Sequence, residues 1–262
     1  MIVSQEHRFV FVQIPHTAST GIARYLVDHY GGQRVLAKHS TLDQFLALAP
    51  RDWHGYYKFG AIRHPLDDVL SMYAKLRNNH IGLYAEGVQE TPVYSIKRPG
   101  EVIANIRRGQ EGTRRSREIR EQELGFDGYF NRFLKIPYLS LVTLAQSQYD
   151  SIMRFEQIEA DLERCLHEIG IERPEPLPFE NPTENRSGDW RAHYMPSMYA
   201  KASRLFGPYM KLWHYPFPDG MGEPGPLDWA YWFLGSRVRA VAWRRNSMRM
   251  VHLVRRLDTP AE

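Results

Sequence analysis

The stretch RFVFVQIPHTASTGIARYL, from Arg8 to Leu26, constrains the fold of this chain more than any other. The apolar run from Phe9 to Ile14 predicts a buried strand, and Ile22, Tyr25 and Leu26 have helical spacing. Small hydroxyl-bearing residues lie between the two, at a turn whose backbone amides converge on one point. Such a turn binds anions, most often phosphate. The alternative interpretation is an ordinary connection in which the small residues only cap the helix.

A second unit of the same kind follows, and the two together indicate the fold class. YKFGAI, residues 57–62, predicts a strand, and Pro65 followed by two aspartates is typical of a first helical turn. Helical spacing then continues through Val69, Leu70, Tyr73 and Leu76. Repeated strand-turn-helix units favour parallel strands. We therefore expect an α/β fold with an open, mainly parallel central sheet flanked by helices, and a C-terminal helical extension.

The remaining elements follow from periodicity and capping signals. We expect a short helix after Ser40 or Thr41, a helix over 126–144, a strand over 149–155, and helices over 158–169, 196–212 and 228–257. The prolines near 174–182 and the Gly/Pro-rich segment 218–226 are linkers. The predicted organisation is a main domain over 1–217, with an insertion or lid at 78–125, and a hinge with a basic amphipathic helix over 218–262.

Composition excludes several classes of protein. With 262 residues, 43% of them hydrophobic, the chain can bury the core of a globular domain. Cys165 is the only cysteine, so neither a disulfide framework nor a thiolate metal site is expected, and Cys165 is interpreted as a core residue. Since no signal pattern and no spanning run is present, the expected location is cytoplasmic, with a peripheral membrane contact left open.

Two arginine-rich segments leave alternatives open. The first, within 78–125, interleaves arginines with glutamates and is interpreted as a solvated helix with ion pairs, or else as a lid over an anionic substrate. The second, 228–257, has seven arginines and no acidic residue after Asp228. Its apolar stripe includes Leu234, Val238 and Val241 and either docks on the protein body or contacts a membrane or an acidic partner.

The chemistry-bearing residues do not match the common catalytic motifs. The turn lacks Walker A spacing, no dinucleotide glycine fingerprint or GxSxG elbow is present, and no His or Cys cluster predicts a metal. Arg63 ends the second strand, and Ser71 lies on the inner side of the next helix. An arginine and a hydroxyl placed this way can hold a second phosphate in the same crevice as the first turn. Taken singly, Arg63 is better explained by a surface ion pair with Asp67, and Ser71 by packing. Taken together with the first turn, the two-phosphate interpretation is favoured.

QIPHTASTGIARYL and FGAIRHPLDDVLSMYA together resemble the two signature elements of PAPS-dependent sulfotransferases, especially the carbohydrate-type and bacterial branches. Matching positions are Pro15, Thr17, Thr20, Arg63, Pro65, Ser71 and Tyr73. MRFEQIEADLERCLHEIGI and NRSGDWR are similar to later elements, and the resemblance covers roughly residues 8–215. It implies a P-loop NTPase-like sulfotransferase fold that transfers a sulfuryl group from PAPS to a hydroxyl of a carbohydrate, lipid or small molecule, leaving PAP, without a metal or nucleic acid.

The resemblance also implies the binding residues. The 5′-phosphosulfate is expected at the first turn, through His16, Thr17, Ala18, Ser19, Thr20 and Gly21. The 3′-phosphate is expected at Arg63 and Ser71, with Trp190 and Arg186 in the later loop. There Thr183, Glu184 and Asn185 replace the usual Arg-Lys-Gly, and Arg186 is the substitute.

Two departures from the family pattern concern the chemistry. The lysine of the first loop, which steadies the leaving group, is His16, and the following serine is Gly21. A histidine side chain donates one hydrogen bond when it is neutral, and it carries a charge only part of the time near pH 7. The sequence KHST, residues 38–41, resembles the context of the family's basic histidine, so His39 is the expected general base, with Glu180 and Glu184 as alternatives. A non-catalytic nucleotide- or polyanion-binding relative, or a P-loop-type kinase, is the alternative function.

Overall fold

The computed structural model describes residues 1–36, 38–82, 111–172, 175–177 and 189–257, with backbone only at residues 81, 144 and 242–257. The strands are β1 (Ile2–Ser4), β2 (Phe9–Val12), β3 (Gln33–Arg34), β4 (Tyr57–Ile62) and β5 (Ser151–Arg154). The helices are α1 (Ser19–His29), α2 (Leu42–Leu48), α3 (Pro65–Arg77), α4 (111–121), α5 (Phe126–Phe133), α6 (Leu141–Leu144), α7 (Ile158–Glu168), α8 (Pro196–Leu212) and α9 (Pro226–Leu257). Short 3-10 segments lie at Arg51–Gly55, His80–Gly82, Gln146–Gln148, Phe155–Gln157 and Trp190–His193.

The five strands form one sheet in the order β3-β1-β2-β4-β5. The pairs β2–β4 and β4–β5 are parallel, with Val12 opposite Gly60 and Ile62 opposite Arg154. This confirms the predicted α/β fold with a central sheet. β1 pairs antiparallel with both β2 and β3, which the sequence did not predict. The chain reverses between β1 and β2 in a tight turn that ends at Arg8, whose φ is 52°.

The chain divides into two compact units, and the sheet belongs to the first, made of Met1–Arg63, Leu139–Asn181 and Ser236–Glu262. Its core joins the sheet to α1 and α7 through Phe9, Phe11, Ile22, Leu26, Phe59, Met153, Leu162, Cys165 and Leu166. Cys165 is fully buried, and its Sγ lies 3.3 Å from Ser151 Oγ, which confirms its interpretation as a core residue. A sheet buried this way holds the carboxyl ends of β2 and β4 in fixed positions.

The second unit comprises His64–Tyr138 and Pro182–Gly235, and it is built around α3. Tyr194 Oη donates to Leu66 O at 2.9 Å, and Tyr73 Oη donates to Leu124 O at 2.8 Å. The predicted continuous helix over 126–144 is wrong, because α5 ends at Phe133 and α6 begins only at Leu141. Pro137 lies in between; it lacks an amide hydrogen and disfavours helical geometry at the residue before it.

The two arginine-rich segments are helical where they are described. In α4, Arg114 and Arg115 pair with Glu111 at 3.0 and 2.8 Å, as the ion-pair interpretation predicts; residues 83–110 of the proposed lid lie outside the described residues. In α9, Leu234, Val238 and Val241 are 66–68% exposed, so the expectation that this stripe docks on the protein body is wrong for these residues. No helix in the described part of the chain is long and apolar enough to cross a membrane.

Candidate active site

The turn between β2 and α1 is strained. His16 has φ 64° and Ala18 has φ 55°, both in the left-handed region although neither is glycine. Each such residue costs on the order of 1 kcal/mol and persists only where its surroundings hold it. Strain of this kind clusters at functional sites, so the contacts that hold this turn are of interest.

Hydrogen bonds from buried side chains hold the turn. Thr17 Oγ1 donates to Ile14 O at 3.0 Å, and Gln13 Nε2 donates to Ser19 O at 3.3 Å. Arg63 Nη1 donates to His16 O at 3.1 Å. The turn is therefore fixed from its own residues and from the neighbouring strand, as an anion site that does not reorganise on binding requires.

The N-terminus of α1 faces this turn and suits an anion. Its cap residue, Ala18, offers no side-chain hydrogen bond, and its fully described first turn contains no acidic residue. Amides at such a terminus lack intrahelical partners and carry partial positive charge. Ser19, Thr20 and Gly21 are the first residues of α1, so the residues predicted to hold the phosphosulfate run from the loop into the start of the helix.

Arg63 lies where the sequence predicted, at the end of β4 and against the first turn. Its side chain is buried, so Arg63 is not the surface residue that the alternative interpretation assumed. The guanidinium lies over the ring of Phe155, 4.1 Å from its centroid, directly after β5. Because β2, β4 and β5 are parallel neighbours, their carboxyl ends bring Phe155, Arg63 and the turn to one edge of the sheet.

His39 lies beside the same strand end. Its Nδ1 is 2.8 Å from the backbone oxygen of Gln13. Since a carbonyl oxygen can only accept, Nδ1 carries the hydrogen and Nε2 is the basic nitrogen of the neutral ring. Burial, together with the nearby Lys38 and His16, lowers the pKa of His39 below its ordinary value of 6.5, although the Gln13 hydrogen bond opposes this. The ring is therefore neutral at pH 7, the state that a general base requires.

Lys38 is a site residue that the sequence did not single out. Its Nζ donates to Thr20 Oγ1 at 2.9 Å, which places an ammonium group at the first turn of α1. The KHST segment drew attention only to its histidine. The sequence signal that could have indicated Lys38 is its position directly before the candidate base His39.

Two other predicted binding residues belong to the second unit. Ser71 is buried on α3. Trp190 is also buried, with its ring stacked on His64 at a centroid distance of 4.2 Å and the Arg191 guanidinium 4.6 Å from it. Arg186, Glu180 and Glu184 lie outside the described residues, so their predicted roles stay predictions. Among the described residues, no group of three His, Cys, Asp or Glu side chains is placed to hold a metal.

Comparison with known proteins agrees with this site. The pattern of the family described as "Sulfotransferase family" matches residues 1–204, which includes the turn, His39 and Arg63. The chain belongs to the sulfotransferase family. The chain is also similar to carbohydrate sulfotransferase 14 of Danio rerio, with 24% identity over 251 residues. The alignment covers 85% of this chain and 64% of that relative, so the chain spans less than two thirds of the relative's length. No solved structure gives a significant match.

Membership confirms the resemblance that the two sequence elements suggested. It supports sulfuryl transfer in general, with PAPS as the donor that the family implies. The described residues fit such a donor, because an uncapped helix terminus, a lysine and a buried arginine meet at one turn. These are the groups that hold phosphate and sulfate esters.

Proposed function

We propose that this chain transfers the sulfuryl group of PAPS to a hydroxyl group of a glycan, with His39 as general base. The observation that carries the proposal is the turn from His16 to Gly21, held against the buried Arg63 and followed by the uncapped α1. The family supports sulfuryl transfer, and the named relative, a carbohydrate sulfotransferase, favours a glycan among the hydroxyl acceptors.

The chain's own residues divide the work as follows. The amides at the start of α1, with Thr20, hold the phosphosulfate end of the donor. Arg63 holds the 3′-phosphate, and the roles that the family implies for Ser71 and Trp190 stay predictions. The donor supplies an activated sulfuryl group. His39 Nε2 takes the proton of the acceptor hydroxyl, and the Gln13 carbonyl fixes the ring and stabilises its protonated form.

Nucleotide binding is the first test. PAP, the desulfated product, should raise the melting temperature of the chain, and adenosine 5′-monophosphate, which lacks the 3′-phosphate, should do so much less. Transfer is then measured with sulfur-labelled PAPS and a panel of glycans, with hydroxylated lipids and small molecules beside them. If neither PAPS nor PAP stabilises the chain, the assignment of the nucleotide is wrong.

His39 is tested by His39→Gln, which should reduce kcat by about 100-fold or more and leave PAP affinity unchanged. His29→Gln, an exposed histidine on α1, is the matched control and should have wild-type kcat. Because the pKa of His39 is lowered in the free chain, kcat/KM of the wild type should begin to fall only below pH 6.5 as the base becomes protonated. Wild-type turnover in His39→Gln would exclude it as the base, and nucleotide binding without any turnover would indicate a non-catalytic relative.

A further inference from the structure

The position of Lys38 has a consequence for the chemistry at the turn. Its ammonium reaches Thr20, on the first turn of α1, from a segment 18 residues further along the chain. Lys38 is also one of the groups that lower the pKa of His39, as is His16. Lys38, His39 and His16 are therefore near one another, at the same turn of the first unit.

The loop of the turn lacks the lysine that the resemblance to the family implies. The residue at that position is His16, and no lysine or arginine lies between Gln13 and Gly21. A lysine side chain carries an ammonium charge at neutral pH. The structure thus has the missing type of charge at the turn, but attached at position 38 instead of position 16.

We propose that Lys38 is the catalytic residue that stabilises the leaving group, in place of the lysine that His16 has replaced; this rests on the proposed sulfuryl transfer. In the step, a bond forms between the acceptor oxygen and sulfur, and the acceptor's proton goes to His39. The bond between sulfur and the bridging phosphate oxygen breaks, and its electron pair stays on that oxygen. Lys38 balances the negative charge that develops there.

The variant Lys38→Met tests this, because it removes the charge and keeps the length of the side chain. It should lower kcat by about 100-fold and weaken the binding of PAP, whose 5′-phosphate carries the charge that Lys38 balances, more than the binding of PAPS. Lys38→Arg should retain a substantial part of kcat. Lys211→Met is the matched control, since Lys211 Nζ also contacts a side-chain oxygen, Glu223 Oε1 at 2.6 Å, and it should leave kcat unchanged.

A rescue experiment separates a catalytic charge from a structural tether to Thr20. Adding His16→Lys to Lys38→Met returns a lysine to the loop and should raise kcat roughly tenfold or more. Unchanged kcat in Lys38→Met, an equal loss of affinity for PAPS and PAP that accounts for the whole effect, or failure of the rescue would each overturn the proposal. Absence of turnover in the wild type would instead overturn the proposed function on which it rests.

The exposed face of α9 carries a second, independent inference. Along this helix Leu227, Leu234, Val238 and Val241 are 66–85% exposed and share one face, with Tyr231 at 42% between them. The opposite side is anchored, since Trp232 Nε1 donates to Tyr138 O at 2.9 Å. The spacing of these five residues, four and three in turn, gives a continuous apolar stripe. An apolar face of this kind marks an interaction surface.

The positive charge of α9 indicates which kind of partner binds to this face. The helix has seven arginines and no acidic residue after Asp228. Two copies of so basic a helix repel each other, which disfavours self-association. An anionic membrane surface accepts both the apolar stripe and the arginines. We infer that α9 binds to an anionic lipid surface through the stripe formed by Leu227, Tyr231, Leu234, Val238 and Val241.

Sedimentation of the full chain with vesicles tests this inference. Phosphatidylcholine vesicles with about 30% phosphatidylserine should bind the chain, and pure phosphatidylcholine should bind it roughly tenfold less, with weakening at high salt. Leu234→Ser combined with Val238→Ser should lower binding to anionic vesicles by about tenfold or more. Met195→Ser, at an exposed apolar residue directly before α8, is the control. Equal binding to both vesicles, no effect of the double variant, or dimer formation through the stripe would overturn the inference.

Discussion

Replacing Arg63 by lysine separates the two roles that the structure gives this residue. Nη1 donates to His16 O at 3.1 Å, and the guanidinium plane lies over Phe155. The remaining donors of the fork are proposed to hold the 3′-phosphate. A lysine keeps the charge, but its compact ammonium cannot serve the carbonyl, the ring and a phosphate together. Arg63→Lys should therefore weaken both the turn and the nucleotide site.

The magnitudes follow from the contacts. A hydrogen bond from a charged donor contributes about 1.5–3 kcal/mol, and a desolvated cation–π contact contributes about 1–2 kcal/mol. The ammonium recovers part of this, so the free energy of unfolding should fall by about 2 kcal/mol. Loss of one charged hydrogen bond to the phosphate corresponds to a 10- to 100-fold weaker affinity for PAP, at about 1.4 kcal/mol for each factor of ten.

Urea unfolding and calorimetric titration with PAP measure the two effects. The control is Arg24→Lys, because Arg24 is an exposed arginine on α1 that pairs with Asp28 at 3.5 Å, and both quantities should stay near wild type. If Arg63→Lys loses stability but binds PAP normally, Arg63 only holds the turn and the 3′-phosphate binds elsewhere. If neither quantity changes, the role of Arg63 in the turn is wrong as well.

Two further predictions concern stability. Burial lowers the pKa of His64 to about 4, so between pH 6.5 and 4 the unfolded chain binds more protons than the folded chain. The free energy of unfolding should therefore decrease by up to about 3 kcal/mol as the pH is lowered through this range. Urea unfolding at several pH values should show that His64→Gln lacks this component and that the exposed His167→Gln keeps it. A Cβ at Gly32 would lie 2.6 Å from Leu26 O, so Gly32→Ala should cost about 2 kcal/mol. Gly55→Ala has nothing within 4 Å and should cost little in the same assay.

The parts of the site that depend on chain topology were predictable from the sequence. Apolar runs at Phe9–Val12 and Tyr57–Ile62 gave two strands, and parallel pairing brings their carboxyl ends together. Arg63 and the turn follow those strands directly, so their contact follows from the pairing. The starts of the helices Pro196–Leu212 and Pro65–Arg77 could also be predicted from the sequence, because a proline marks the first turn of each.

The parts that depend on unusual backbone conformations were not predictable. Leu36 and His39 have φ of 61° and 68°, and these left-handed residues flank Lys38 on the way to Thr20. A leucine in the sequence does not predict a left-handed backbone conformation, since glycine is the residue that adopts it readily. β1 was missed for a different reason: its three residues, Ile2–Ser4, are too few to show a period.

The exchange at position 16 is understandable once backbone and side chain are considered separately. The contribution of His16 to the turn is its carbonyl oxygen, which accepts from Arg63 whatever the side chain is. Its φ of 64° favours residues that tolerate the left-handed region, and histidine is enriched there. A histidine can therefore replace the lysine without changing the geometry of the loop. The charge of that lysine must then come from another cation at the turn. Lys38 supplies such a cation. The His16→Lys variant tests whether the turn needs a further charge at position 16. It should add little to kcat while Lys38 is present and much when Lys38 is methionine.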